Sequence, residues 1–478
     1  MIIVSRYVLN KRFNLMKKQT KKEFHDKSIT FAAIAGAVND RVSRTGQAIK
    51  EHLVAFSGND YENSIFYKRS LKSLNKCKVN PNYAEQNIRQ QSGFAAEIKS
   101  TARRNAENIC NDNPERIVRT DDCGFVNDPI YDHLVTDKNG RIIPGSGEQM
   151  KFVGANPKEA LKKLLSKKFQ KYLDSDAGIT VPSDYYDGIK EEIKKELQKL
   201  SKQILKAKED GNNSLKIKLQ ARKSQLSKLN KNLKDGGVSN AEAREARLHP
   251  IKSTTKDVAK LANKVGLESG MIGAGISGGI SIIKNAVGVI RKDIEIKEAA
   301  ENVAKDTCRG GVVSYITGFG GSCIQAIMRN SSKACIRSLS KTNIPAAVAV
   351  YAIDLSQSMS KCIKGEISAQ VLMDEVGEKG AGHLTAAICT AAGQTIIPIP
   401  FIGAMAGSMV GYLLGTSLYK EIKEILKNPN WSQEQREELK VKYSEAVELT
   451  NGFKKELSTL CKKDRFCSQI ITEFLNQV

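Results

Sequence analysis

From Leu384 to Tyr419 the chain runs 36 residues without an Asp, Glu, Lys or Arg. A stretch this long and apolar must leave water, either into a protein core or into lipid. Pro398-Ile399-Pro400 divides it into two arms. The second arm, Phe401–Tyr419, has 19 residues, about 28 Å as a helix and close to the thickness of a bilayer core. Gly403, Gly407, Gly411 and Gly415 recur at four-residue spacing, which puts them near one face of a helix and lets a second helix approach closely. In water each helical Gly costs up to about 1 kcal/mol relative to Ala, so packing must offset it. We therefore expect a hydrophobic hairpin, turning at Pro398 and Pro400, that enters or crosses a membrane. Small residues recur the same way at Gly270, Ala274 and Gly278, and at Gly310, Ser314, Gly318, Ser322 and Ala326. These stripes predict close helix packing, within one chain or between copies in a homo-oligomer. Lys284, Arg291 and Arg329 interrupt or bound the earlier segments, which makes them poorer spans.

The rest of the chain is polar and basic. Over 478 residues the net charge is +23, a balance that favours DNA or an anionic membrane face as a partner. A solvated, Lys-rich surface would give the same sum. Ten cysteines are scattered with no CxxC pair and no zinc spacing, so we expect reduced thiols in an intracellular protein. The start, MIIVSRYVLNKRFNLMKKQ, breaks every apolar run with charge and lacks the core of a secretory signal. Met16 offers a second candidate start. The expected location is the bacterial cytoplasm, at the inner membrane.

Five regions follow from the pattern. Residues 1–80 are basic and helical, with 16 Lys or Arg against 6 Asp or Glu. Residues 81–186 alternate elements: a helix over 82–110, short strands at Arg116–Arg119, Tyr131–Thr136 and Gln149–Val153, a helix from Pro157 to Leu173, and a strand at Gly178–Val181. Asn139-Gly140 marks a tight turn between Thr136 and a returning run at Arg141–Ile143. Ser183 and Asp184 offer a helix cap. Residues 187–236 read as a basic coiled-coil hairpin turning at Gly211-Asn212-Asn213. One seam runs Ile189, Ile193, Leu197, Leu200, Ile204; the return runs Leu215, Leu219, Leu226, Leu229, Leu233. Residues 237–430 hold the small-residue apolar helices, and 431–478 are charged and helical.

Within 81–186 one constellation carries chemistry. Glu97 lies in Ser-Gly-Phe-Ala-Ala-Glu on the first helix. Asp132 stands directly before His133-Leu134-Val135, with Asp128 one turn earlier. Glu148-Gln149-Met150-Lys151-Phe152, at the third strand, gives Gln149-Met150-Lys151. Strand side chains alternate, so Gln149 and Lys151 share a face while Met150 and Phe152 enter the core. The element order and these residues resemble the αβββαβ core of the PD-(D/E)XK nuclease superfamily, in the Gln-x-Lys form of Mrr-type restriction endonucleases. The resemblance covers roughly 100 residues. It implies an α+β chain with a small nuclease-like domain, then the coiled-coil hairpin and an all-α hydrophobic domain. It also implies Mg²⁺ held by Asp132, Gln149 and Glu97, with Lys151 beside the attacking water and the scissile phosphate. Gln149 departs from the commoner acid at this position, which lowers the expected metal affinity and puts two-metal chemistry in doubt. Glu148 should face the other way, unless the register slips by one residue. His133 should turn from the site, and Arg119-Thr120-Asp121-Asp122 could approach it from the first strand's end.

Three functions follow as expectations. The first is a Mg²⁺-dependent DNA endonuclease tethered to a membrane and acting on incoming DNA, as in phage defence. The second is a membrane-perturbing effector working through the Leu384–Tyr419 hairpin. The third is a non-enzymatic scaffold that binds DNA or a partner.

Overall fold

The computed structural model describes residues 2–383, except 291–293, 364, 365, 368–370, 372 and 373, together with 386 and 416. The hairpin expected at 384–419, with Pro398, Pro400, Gly403, Gly407, Gly411 and Gly415, therefore lies outside the described residues apart from Ala386 and Thr416, as does the 431–478 tail.

The chain divides into two compact units, residues 48–258 and residues 1–47 with 259–478. The boundaries expected at 81, 187 and 237 all fall inside the first of these. Helix α1 (Ile2–Ser57) leads into a two-residue ladder of β1 (Asn59–Asp60) and β2 (Ile65–Phe66), then α2 (Leu71–Asn75). Helix α3 (Ala84–Cys110) precedes β3 (Arg116–Arg119), β4 (His133–Thr136) and β5 (Glu148–Met150). Helices α4 (Pro157–Leu164) and α5 (Gln170–Asp174) lead to β6 (Gly178–Val181). The expected single helix over 157–173 is broken in two, with a 3-10 turn at Lys167–Phe169. A hairpin of α6 (Ser183–Glu209) and α7 (Asn213–Asn232) returns to β7 (Leu233–Asp235), followed by α8 (Asn240–Leu248).

The five longer strands make one mixed sheet in the order β3-β4-β5-β6-β7. β3, β4 and β5 form an antiparallel meander; β6 and β7 join parallel to β5. The α+β class expected from the sequence holds. The expected strand at Arg141–Ile143 is reduced to a single bridge, Thr136 with Ile142. Leu233, expected on the coiled-coil seam, instead enters the sheet as β7, paired with Ile179. That pairing explains why the hairpin belongs to this unit: it is the crossover between two parallel neighbouring strands.

Apolar clusters cover the sheet. Leu161, Leu164, Tyr172 and Leu173 pack with Ile179 and Val181 and with Ile189, Ile193, Leu226 and Leu229 of the hairpin. Met150 packs with Ala96 of α3 and with Val238 and Ala243. The hairpin seam departs from expectation at Leu215, which is exposed. The expected cap of α6 also moves: the helix opens after Pro182, and the Ser183 hydroxyl donates to Asp235 at 2.6 Å.

In the other unit the described elements are all helices. It holds the end of α9 (Pro250–Ile290), α10 (Ile296–Arg329), α11 (Ala334–Leu339) and α12 (Ile344–Ile363). Phe31, Ile34, Val38 and Val42 pack with Val313, Ala346 and Val350. Small residues bring α9 and α10 together: a Cβ on Gly310 would stand 2.5 Å from the Gly273 carbonyl oxygen. On α9 the contact includes Gly266, Gly270, Gly273 and Ser277, and Ala274 and Gly278 of the expected stripe also meet α10, at Gly311 and Thr307. A strict four-residue step drifts around a 3.6-residue helix, so contacts alternate steps of three and four. Among the described residues, α10 alone is long and apolar enough to cross a membrane, and 67% of its apolar window is buried. A core helix of a water-soluble bundle meets the same criterion.

Candidate active site

β5 sets the geometry. Pairing of Glu148 with His133 on one side and Gly178 on the other fixes which face each side chain takes. Glu148 is 1% exposed, gripped by Arg104 at 2.6 and 3.2 Å and by Lys234 at 2.8 Å. These cations hold its carboxyl below the usual range despite its burial. Glu148 is thus spent on the fold, and the alternation expected for Gln149 and Lys151 holds. Lys151 lies one residue beyond β5, but its N–H still donates to the Thr180 carbonyl at 2.8 Å and prolongs the ladder.

Glu97, Asp132, Gln149 and Lys151 line one cavity of about 290 Å³. Asp132 sits just before β4, its N–H bonded to the Glu148 carbonyl at 2.8 Å. Its Oδ2 accepts from the Gln149 amide and, at 2.8 Å, from the Met150 N–H. Lys151 Nζ lies 3.9 Å from the same oxygen and 4.9 Å from the centroid of the Tyr172 ring. Glu97 reaches the cavity from α3. Asp128 also lines it, but its Oδ1 accepts from the Ile130 and Tyr131 N–H groups, both at 2.8 Å, and so shapes the loop.

Burial pushes Glu97, Asp132 and Lys151 toward their neutral forms. Burial raises the Glu97 carboxyl well above the carboxylate range, and Asp132 adds to the shift. Burial raises Asp132 as well. Burial lowers Lys151, with Lys171 and Lys168 adding to it against the pull of the two carboxylates. His133 does turn from the cavity: its Nε2 meets the Glu97 carbonyl at 3.3 Å, and burial brings its pKa down to about 4.

Of Arg119-Thr120-Asp121-Asp122, expected near the site, the first three line the cavity, while Asp122 does not and instead pairs with Arg119 at 2.6 Å. Sequence reasoning missed Arg69, Phe94, Lys171 and Tyr172. Arg69 pairs with Asp121 at 2.7 Å and stacks over Phe94 at 4.4 Å. These contacts join residues distant in sequence, and no local pattern announces them.

The expected Mg²⁺ can be tested against these donors. Among the described residues no three His, Cys, Asp or Glu side chains gather as a metal group. Glu97 and Asp132 supply two carboxylates, and a third oxygen would come from Gln149 once its amide turns to present Oε1. No hydrogen bond to the Glu97 carboxyl offsets its burial among the described residues. Two half-buried carboxylates are raised together although Lys151 stands near both, and a hard cation with oxygen ligands would offset their charge. The donor set fits.

Comparison with protein-family models, with curated proteins and with solved structures returned no match to this chain.

Proposed function

We propose that the 48–258 unit is a Mg²⁺-dependent phosphodiesterase of PD-(D/E)XK type that cuts DNA. The observation that carries this reading is the convergence of Glu97, Asp132, Gln149 and Lys151 on one cavity. The order α3-β3-β4-β5-α4-β6, an antiparallel meander with the fourth strand parallel to the third, supports it. The net charge of +23 suits a polyanionic substrate.

Glu97, Asp132 and Gln149 would hold the cation, which supplies Lewis-acid stabilisation of phosphate oxygens. Lys151 carries the rest. Burial lowers its pKa, which eases loss of its proton, and in the amine form it accepts a proton from the attacking water. The water oxygen bonds to phosphorus, one P–O bond breaks, and the leaving alkoxide takes up a proton from a solvent water. The ammonium formed at Lys151 faces the charge that develops on the phosphorane.

The apolar helices would tether this enzyme to the inner membrane through 384–419, and their small-residue faces suit contacts between copies. A second reading is a membrane-perturbing effector acting through the charge-free run of residues 384–419. The deciding experiment is Mg²⁺-dependent cleavage of DNA by the full chain. Cleavage lost in Lys151→Ala supports the enzyme; equal cleavage by wild type and Lys151→Ala removes it. Dye release from liposomes that survives Asp132→Ala and is lost in Gly407→Leu would assign the second reading. Salt-sensitive DNA binding without cleavage would leave a scaffold.

A further inference from the structure

The wall of the Glu97–Asp132 cavity holds a cation and part of a loop that carries an exposed aromatic ring. Lys171 lines the cavity. Its Nζ donates to the Pro129 carbonyl at 2.7 Å and lies 4.9 Å from the Tyr172 ring. Among the described residues it has no carboxylate partner. Thr120, Asp121, Asn127, Asp128 and Pro129 form part of the cavity wall. The loop they belong to carries Phe125, 50% exposed, and Val126, 54% exposed.

That loop is built firmly. The Phe125 N–H donates to the Thr120 carbonyl at 3.1 Å, and the Phe125 carbonyl accepts from the Asp128 N–H at 3.3 Å. The Asn127 N–H donates to Asp121 Oδ1 at 3.0 Å. The turns use positive φ at Gly124 and Asn127, conformations that only Gly and Asn adopt at low cost. Folding gains nothing by holding a phenyl ring in water. An exposed ring on the hydrogen-bonded loop whose Pro129 carbonyl holds Lys171 has the composition of a base-stacking platform beside a phosphate contact.

We propose that the cavity takes an unpaired nucleic-acid strand, with a base stacked on Phe125 and the adjoining phosphate on Lys171. In a duplex both faces of each interior base are covered, and Phe125 would find no partner. This inference rests on the reading of the cavity as a phosphodiester site.

The test measures binding of the full chain to a labelled single-stranded DNA, its duplex and the RNA of the same sequence, in EDTA so that nothing turns over. Either single strand should bind more tightly than the duplex. Phe125→Ala should weaken single-strand binding about tenfold and leave duplex binding alone. Lys171→Gln should flatten the salt dependence by about one phosphate contact. Duplex bound as tightly as single strand, or Phe125→Ala binding single strands like wild type, overturns the proposal. Cleavage in Mg²⁺ is scored separately. Cleavage without any Phe125 effect overturns this inference alone, and Phe125-dependent binding without cleavage overturns the phosphodiesterase alone.

Discussion

Helix α3 carries charge into two buried places, and the two differ in one respect. On one side Lys99 and Arg103 meet Asp257 and Glu242. Lys99 pairs with Asp257 and donates to Ser253 at 2.9 Å; Arg103 bonds Asp257 at 2.7 Å and Glu242 at 3.0 Å. Burial opposes both carboxylates, yet His52, Lys99 and Arg103 keep Asp257 below its usual range. Glu242, bonded by Arg103 and the Ser239 N–H, comes down to about 2. Toward the cavity, Glu97 and Asp132 are both raised. Burial acts against the charged carboxylate in both places. The first cluster supplies enough cations to overcome it and serves the fold. The second does not, and both of its carboxylates are held toward their protonated forms.

The largest effect that would break this contrast is on cleavage. Asp132→Ala and Lys151→Ala should each lower Mg²⁺-dependent turnover by about a thousandfold, measured on full-length protein, with little loss of stability. Next is Asp257→Ala, which strands Lys99, only 3% exposed. Denaturant unfolding should show a loss of about 3–5 kcal/mol. If Asp132→Ala costs as much, the two clusters are of one kind.

The pH dependence sharpens the comparison, because the two places have opposite signs. Burial lowers His52, which faces Asp257 at 3.7 Å, to about 4, and His133 likewise. The unfolded chain therefore binds protons that the fold refuses. Stability is full above about 6.5 and is lost as pH falls toward about 4, by up to about 3 kcal/mol for each histidine. Glu97 acts the other way. Its folded pKa lies above its unfolded value, so its contribution is present at low pH and is lost as pH rises from 4.5 through the raised value. Glu97→Gln should accordingly raise stability near pH 8 by about 2 kcal/mol while abolishing cleavage. A stability loss there would place Glu97 among the structural charges.

The smaller half of this picture was legible in the sequence. Alternation along 148–152 separated Glu148 from Gln149 and Lys151, and the strand spacing put Asp132 beside them. Period and turn residues located β3 and β6 to the residue. What stayed hidden depends on distance along the chain. Asp257 meets Lys99 across 158 residues, and Arg69 meets Asp121 across 52; no local pattern encodes either pair. β7 was missed because three residues following directly on a helix carry no strand period of their own. Phe125 was passed over because a single aromatic in a polar loop gains meaning only when the loop is seen to wall the cavity.

Burial favours the protonated form of Glu97, and a divalent cation bound there would displace that proton. Calorimetric titration of the full chain with Mg²⁺ at pH 7, in two buffers of different ionisation enthalpy, counts the protons released. Close to one proton per ion bound is expected for wild type and none for Glu97→Gln. Binding without proton release in wild type, or the same release from Glu97→Gln, would contradict it.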